Sequence, residues 1–323
     1  MLKLKTLHAA RQTDHRDALR AAFYVGLAKA LAQLPPPQSY DQDLLDFLEA
    51  VLDKILIGSP DELECIALAV QGMYPAFSAY AARSKKGKAP ADMVHRNTLA
   101  IIEACFNYDK FSEKGPGWNA YALVCAHQLR ICPYCHAHHV NYHVNPGAPT
   151  KRAQYAIRPP LDHFLPKSSY PYLAVSLNNL VPSCAPCNSS VKSSADPLAL
   201  GLTSPHDLSK PIAIRFSAAG SIPGLVSGTV EDVRISLHTG DEHSQILIDS
   251  FLLQDRYQWY RHEIKDLIDR FEDHGSIPAT LRELVPRDRY VLGCAAHDVE
   301  RRALGMCLRD VYAELMKGAV VGA

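Results

Sequence analysis

The stretch that decides the fold begins Cys132-Pro133-Tyr134-Cys135. It continues with Leu161-Asp162-His163-Phe164-Leu165-Pro166. It closes with Asn179-Leu180-Val181-Pro182-Ser183-Cys184-Ala185-Pro186-Cys187-Asn188. Thiolates bind zinc tetrahedrally, and a Cys-x-x-Cys turn presents two sulfurs to one ion. A single pair is weak evidence, whereas two pairs flanking a loop-rich stretch are a fairly specific pattern. Cys132, Cys135, Cys184 and Cys187 are therefore read as ligands of one structural Zn²⁺. The competing readings are free thiols or one redox-active pair, and the second lacks a thioredoxin-like strand–helix setting. His136, His138, His139 and His143 crowd behind the first pair. They read as alternative ligands, a second metal site, or ordinary polar surface.

A second chemistry sits between the pairs. Hydrolysing a phosphodiester needs an activated water, charge stabilisation on the phosphate and help for the leaving oxygen. A histidine titrating near neutrality serves as general base, and a hard cation such as Mg²⁺ or Mn²⁺ takes carboxylate and amide oxygens. Asp162, His163 and Asn188 have those side chains. Asn179 is placed to fix the imidazole, and Lys167 and Lys192 to contact backbone phosphates. Neighbours on a strand face opposite ways, so Asp162 and His163 meet at one site only if the strand end twists or the metal lies at its rim.

These residues resemble the HNH endonuclease motif. The likeness spans about residues 130–195, in order and spacing. It implies a ββα-metal, treble-clef-like core, with His163 as the general base and Asn179 orienting it and holding the loop. It implies that Asn188 and Asp162 bind the catalytic metal, and that Cys132, Cys135, Cys184 and Cys187 are the zinc pairs many members carry. Asn178 competes with Asn179 for its role, and Asn179 is preferred because Leu180 follows it. One departure stands out: members often carry a lysine three residues beyond the last position, whereas Lys192 follows Asn188 by four. Asp162–Tyr172, together with Phe251–Tyr257, is also similar to bacterial HNH proteins of anti-phage defence, including Septu-type effectors, which implies an ATPase partner. The plainer reading of Arg256-Tyr257 is packing of a C-terminal helix onto the core.

The rest of the chain frames that segment. Its 323 residues are 47% hydrophobic and 21% charged, with 34 basic against 34 acidic side chains, so overall charge does not announce a nucleic-acid binder. Between His127 and Lys192, however, Arg130, Lys151, Arg152, Arg158, Lys167 and Lys192 face the single acid Asp162. This basic island is either a solvated loop or a phosphate-facing surface. There is no signal-peptide pattern and no apolar run long enough to span a membrane, and the unpaired cysteines read as buried thiols. A reducing cytoplasm is the expected setting.

Apolar spacing predicts a helix over 14–33, stopped by Pro35-Pro36-Pro37, and another over 41–57. Ser59-Pro60-Asp61-Glu62 reads as a helix start. Further helices are expected at about 92–108 and 118–129, with a basic turn at 84–88. Strands are expected near 155–157, 212–216 and 233–237, and long helices over 245–272 and 289–317. The fold class is α+β, a mostly helical protein with an embedded nuclease core. Its segments are a helical region at 1–125, the core at 126–200, and a hairpin with helices at 201–323 packing on the core. The function expected is metal-dependent hydrolysis of DNA. The alternatives are a catalytically inactive zinc-stapled module that binds nucleic acid or a partner, and a helical interaction protein.

Overall fold

The computed structural model describes residues 2–34, 39–83, 92–143, 156–192, 196–219 and 229–321. The tri-proline stop, the basic turn at 84–88, Lys151, Arg152, Tyr155 and most of the turn between the later strands lie outside them. The chain is mostly helical, with two small antiparallel sheets, and so is α+β.

The N-terminal region is a stack of helices: α1 (Ala9–Gln33), α2 (Gln42–Ala50), α3 (Leu52–Ile57), α4 (Pro60–Met73), α5 (Pro75–Ala82), α6 (Met93–Cys105), α7 (Tyr108–Ser112) and α8 (Ala120–His127). His15, Leu19 and Phe23 recur every four residues and form the buried stripe of α1, which packs on α3 and α6. Gly26 permits the contact with α6, because a Cβ there would stand 2.2 Å from the Ala104 carbonyl oxygen. The expected helix over 41–57 is broken at Val51, between α2 and α3. The start at Ser59 is a complete capping box: the Ser59 hydroxyl accepts from the Glu62 amide, and the Glu62 carboxylate accepts from the Ser59 amide.

Residues 156–192 contain β1 (Leu161–His163) and β2 (Leu180–Pro182), antiparallel with Asp162 opposite Val181. The helical turn Pro186–Val191 follows, wound as a π-helix in which the Lys192 amide reaches back to the Cys187 carbonyl. A second hairpin joins β3 (Arg215–Ala219) to β4 (Arg234–His238). The final helix, Gly305–Val321, packs on β3, where the Phe216 amide donates to Asp310 at 3.1 Å.

The two long C-terminal helices expected from the sequence are interrupted. The first is divided into Glu242–Ser250, Leu253–Tyr257 and Arg261–Ser276, with Leu252 at φ +50°. The second is divided into Arg287–Leu292 and Gly305–Val321, with Leu304 at φ +61°. Left-handed leucines are uncommon, and Leu304 has a specific cause: its amide donates to the His136 carbonyl at 2.8 Å. The helix opens to reach the cysteine knuckle. One continuous apolar core runs through all three segments of the chain. Among the described residues no single helix is long and apolar enough to cross a membrane.

Candidate functional site

The four cysteines converge. Their sulfurs all lie within 4.8 Å of one another, and all four residues are buried. Cys135 Sγ stands 3.8 Å from Cys184 Sγ. That is the edge of a ZnS₄ tetrahedron, about 3.8 Å for Zn–S bonds near 2.3 Å. The local fold creates this geometry. An antiparallel bridge pairs Ile131 with His139, the His136 amide donates to the Cys132 carbonyl, and His136 turns the chain at φ +54°. The second pair closes over the first, with the Cys184 amide donating to Cys132 Sγ and Arg256 Nη1 to Cys187 Sγ, each at 3.4 Å. Such donors offset the negative charge of four thiolates around a divalent ion. The donor set fits zinc.

Among the described residues no other group of three or more His, Cys, Asp or Glu side chains gathers this way. His136 Nε2 donates to the Glu300 carbonyl and His138 Nε2 meets the Tyr260 hydroxyl, so these two histidines bind the C-terminal segment instead of a metal. Tyr257 donates to the Cys135 carbonyl at 2.7 Å. Arg256-Tyr257 thus packs the C-terminal helices onto the knuckle.

The hairpin β1–β2 separates the remaining candidates. His163 Nε2 donates to the Ala174 carbonyl at 2.9 Å, which leaves Nδ1 as the ring's proton acceptor. The ring meets Tyr108 edge-on, centroids 4.4 Å apart. Burial pushes its pKa down to about 3, with smaller contributions from the neighbouring lysines, so the imidazole is neutral but a weaker base than the near-neutral histidine expected from the sequence. Asn179 closes the loop that carries these groups. Its Oδ1 accepts from the Leu165 amide at 2.6 Å, and its Nδ2 donates to the Leu165 and Leu173 carbonyls. Asn178 instead donates to the Gly58 carbonyl, which separates the two asparagines by role.

A third residue, invisible as a candidate in the sequence, completes this arrangement. His15 on α1 donates from Nε2 to the Val175 carbonyl at 2.8 Å and accepts the Trp118 indole N–H at Nδ1. Three consecutive carbonyls, of Leu173, Ala174 and Val175, are thus each held by a side-chain N–H, from Asn179, His163 and His15. His206 similarly donates to the Leu180 carbonyl in β2. Burial pushes His15 and His206 down to about 4 each. Both are neutral in the fold but titrate near 6.5 when unfolded, so their contribution is complete above about pH 6.5 and is lost as pH falls towards 4. Each shift is worth about 3 kcal/mol over that window. Melting temperature is expected to fall steeply from pH 6.5 to 4.5. An unchanged melting temperature over that range would refute the neutral, buried assignment.

Asp162, Lys192 and Asn188 depart from expectation. Asp162 Oδ2 accepts from Tyr134 at 2.6 Å and from Lys192 Nζ at 2.7 Å, and Lys192 also donates to the His163 carbonyl. Both side chains of this ion pair are buried, at 7% and 4% exposure. Lys192 is therefore corrected from a phosphate contact to an internal partner of Asp162. The cause is the π-turn: one extra residue between Asn188 and Lys192 is absorbed by i→i+5 winding. Asn188 is half-buried and donates to the Ser189 hydroxyl. The side chains of Asp162, His163 and Asn188 keep separate sets of partners, as strand alternation implies for the first two, and Lys192 alone bridges the Asp162 carboxylate to the His163 backbone. As it stands the arrangement does not fit a divalent cation at Asp162 Oδ2, where the Lys192 ammonium already stands, and a cation shared there with Asn188 would need Lys192 to move. Lys167 is exposed, beside Asp109 at 3.5 Å.

In comparisons with family models, curated proteins and solved structures, nothing matches this chain.

Proposed function

We propose that this chain is an endonuclease of the HNH type, hydrolysing DNA phosphodiester bonds with His163 as general base. The observation that carries this reading is the commitment of His163 Nε2–H to the Ala174 carbonyl. It leaves a neutral ring with its Nδ1 lone pair available for a water proton. Asn179 supports the reading by holding the loop at both Leu165 and Leu173. The zinc-type knuckle holds β1, β2 and the π-turn in one piece. The narrower likeness to anti-phage effectors extends the proposal to an ATPase partner, to be sought by pull-down from the native host.

A second reading is a zinc-stapled binding module without catalysis, and the buried Asp162–Lys192 pair favours it. Supercoiled-plasmid cleavage separates the two readings. Zinc-loaded protein is expected to nick or cut with added Mg²⁺ or Mn²⁺ and to stop when EDTA removes the added ion. Cleavage requiring the added ion would mean that Lys192 leaves Asp162 on activation. No cleavage by folded, zinc-loaded protein, with the host partner present, would favour the binding module.

A further inference from the structure

Tyr108 packs against His163, and two cations, Lys167 and Arg158, pack against Tyr108. Lys167 Nζ stands 4.8 Å over the Tyr108 ring, and the same ring meets His163 edge-on. Whatever contacts Lys167 across Tyr108 is therefore adjacent to the imidazole. Arg158 bonds the Tyr108 hydroxyl, which lowers the Tyr108 pKa, although burial raises it more. The Arg158 guanidinium lies 5.3 Å over the Tyr121 ring, and Lys114 Nζ lies 5.9 Å from the same ring.

The charge state of this row is informative. Arg158 Nη1 donates to the Pro159 carbonyl, but its buried Nε has no hydrogen-bond partner, and among the described residues no carboxylate pairs with it. The guanidinium is only half-buried and also bonds the Tyr108 hydroxyl, so its charge is fixed in place at the surface beside that ring without a carboxylate to neutralise it. The carboxylate beside Lys167 is Asp109, which is 92% exposed, and such surface pairs hold weakly. Planar guanidinium over an aromatic ring, with ammonium groups on either side, suits phosphate oxygens. Lys192 is unavailable for that task, because it is buried against Asp162.

We propose that Arg158 at the Tyr108 hydroxyl and Lys167 over the Tyr108 ring form the phosphate-binding surface for a DNA strand at His163, with Lys114 over Tyr121 extending it onto the N-terminal helices. The proposal rests on the reading of His163 as the base, and its test does not use cleavage. Binding of a short fluorescein-labelled DNA duplex is measured by anisotropy at several salt concentrations, in full-length zinc-loaded protein carrying His163→Ala. Adding Arg158→Gln and Lys167→Gln together is expected to weaken binding at least about tenfold and to reduce the salt slope by about two, roughly one per phosphate contact. Arg289→Gln, a charge removed from an exposed C-terminal position, is expected to leave the slope unchanged. Arg158→Lys is expected to recover the slope but only part of the affinity. An unchanged slope in the double variant, with melting temperature preserved, would overturn the proposal. So would an equal loss in Arg289→Gln. Failure of the nuclease reading would appear separately, as wild-type protein that binds the duplex at this surface and never cuts it.

Discussion

His163→Ala is expected to lower plasmid cleavage by about 10²–10⁴-fold, the usual contribution of a positioned general base, with zinc content and fold intact. The ring is the only group on β1 that presents a neutral nitrogen lone pair, since Asp162 is spent on Tyr134 and Lys192. Its loss leaves the Ala174 carbonyl without its donor, a local cost of about 1–3 kcal/mol. That is small against a core shared by all three segments of the chain. Cleavage rate, zinc content by elemental analysis and melting temperature are measured on the same preparation. Cleavage retained within a fewfold would remove His163 from the base role. A collapse of melting temperature would instead assign the ring a structural role.

Cys184→Ser should produce the opposite pattern. Zinc is expected to fall well below one ion per chain, and the cooperative unfolding transition to be lost or shifted strongly downward. Structural zinc in small finger peptides contributes roughly 10–16 kcal/mol of apparent free energy, as much as the whole stability of an ordinary domain, about 5–15 kcal/mol. The knuckle here also anchors distant parts of the chain. The Leu2 amide donates to the Pro133 carbonyl, Tyr257 to the Cys135 carbonyl, and the Leu304 amide to the His136 carbonyl. Opening the sulfur site therefore loosens both ends. A Cys184→Ser protein that keeps one zinc and melts like wild type would remove the ion from its structural role. If Cys184→Ser and His163→Ala behave alike, the division between a structural and a chemical site fails.

Much of this was legible from local chemistry. The capping box at Ser59 needs only Ser, Pro and Glu at the right spacing. The cysteine pairs carry their ligand geometry in their turns. Asn179 is expected from the motif both to fix the imidazole and to hold the loop; it bonds Leu165 and Leu173 across the loop, while the ring itself is held by the Ala174 carbonyl. What escaped is set by tertiary contacts. Nothing local to Leu252 or Leu304 announces a left-handed residue, since glycine would be the signal there. Strand β3 starts at Arg215, three residues past the expected edge, because Ile212, Ile214 and Phe216 alternate whether or not a partner strand pairs with them. Lys192 reads as a surface lysine until the π-turn rotates it inward. His15 reads as one polar residue on an amphipathic helix, and only its neighbours reveal its bond to Val175.

The row of three held carbonyls has a practical bearing on anyone trimming this protein. A fragment bounded at 126–200 contains the motif whole, yet it lacks His15 and with it the bond that fixes the Val175 carbonyl. In such a fragment the Val175 carbonyl loses its donor, and the loop that presents the Ala174 carbonyl to His163 is held by Asn179 and His163 alone. A portable unit therefore needs the first helix and the C-terminal segment that bonds the knuckle as well as the recognisable motif, and fusion designs that keep only the last would carry its letters without its alignment.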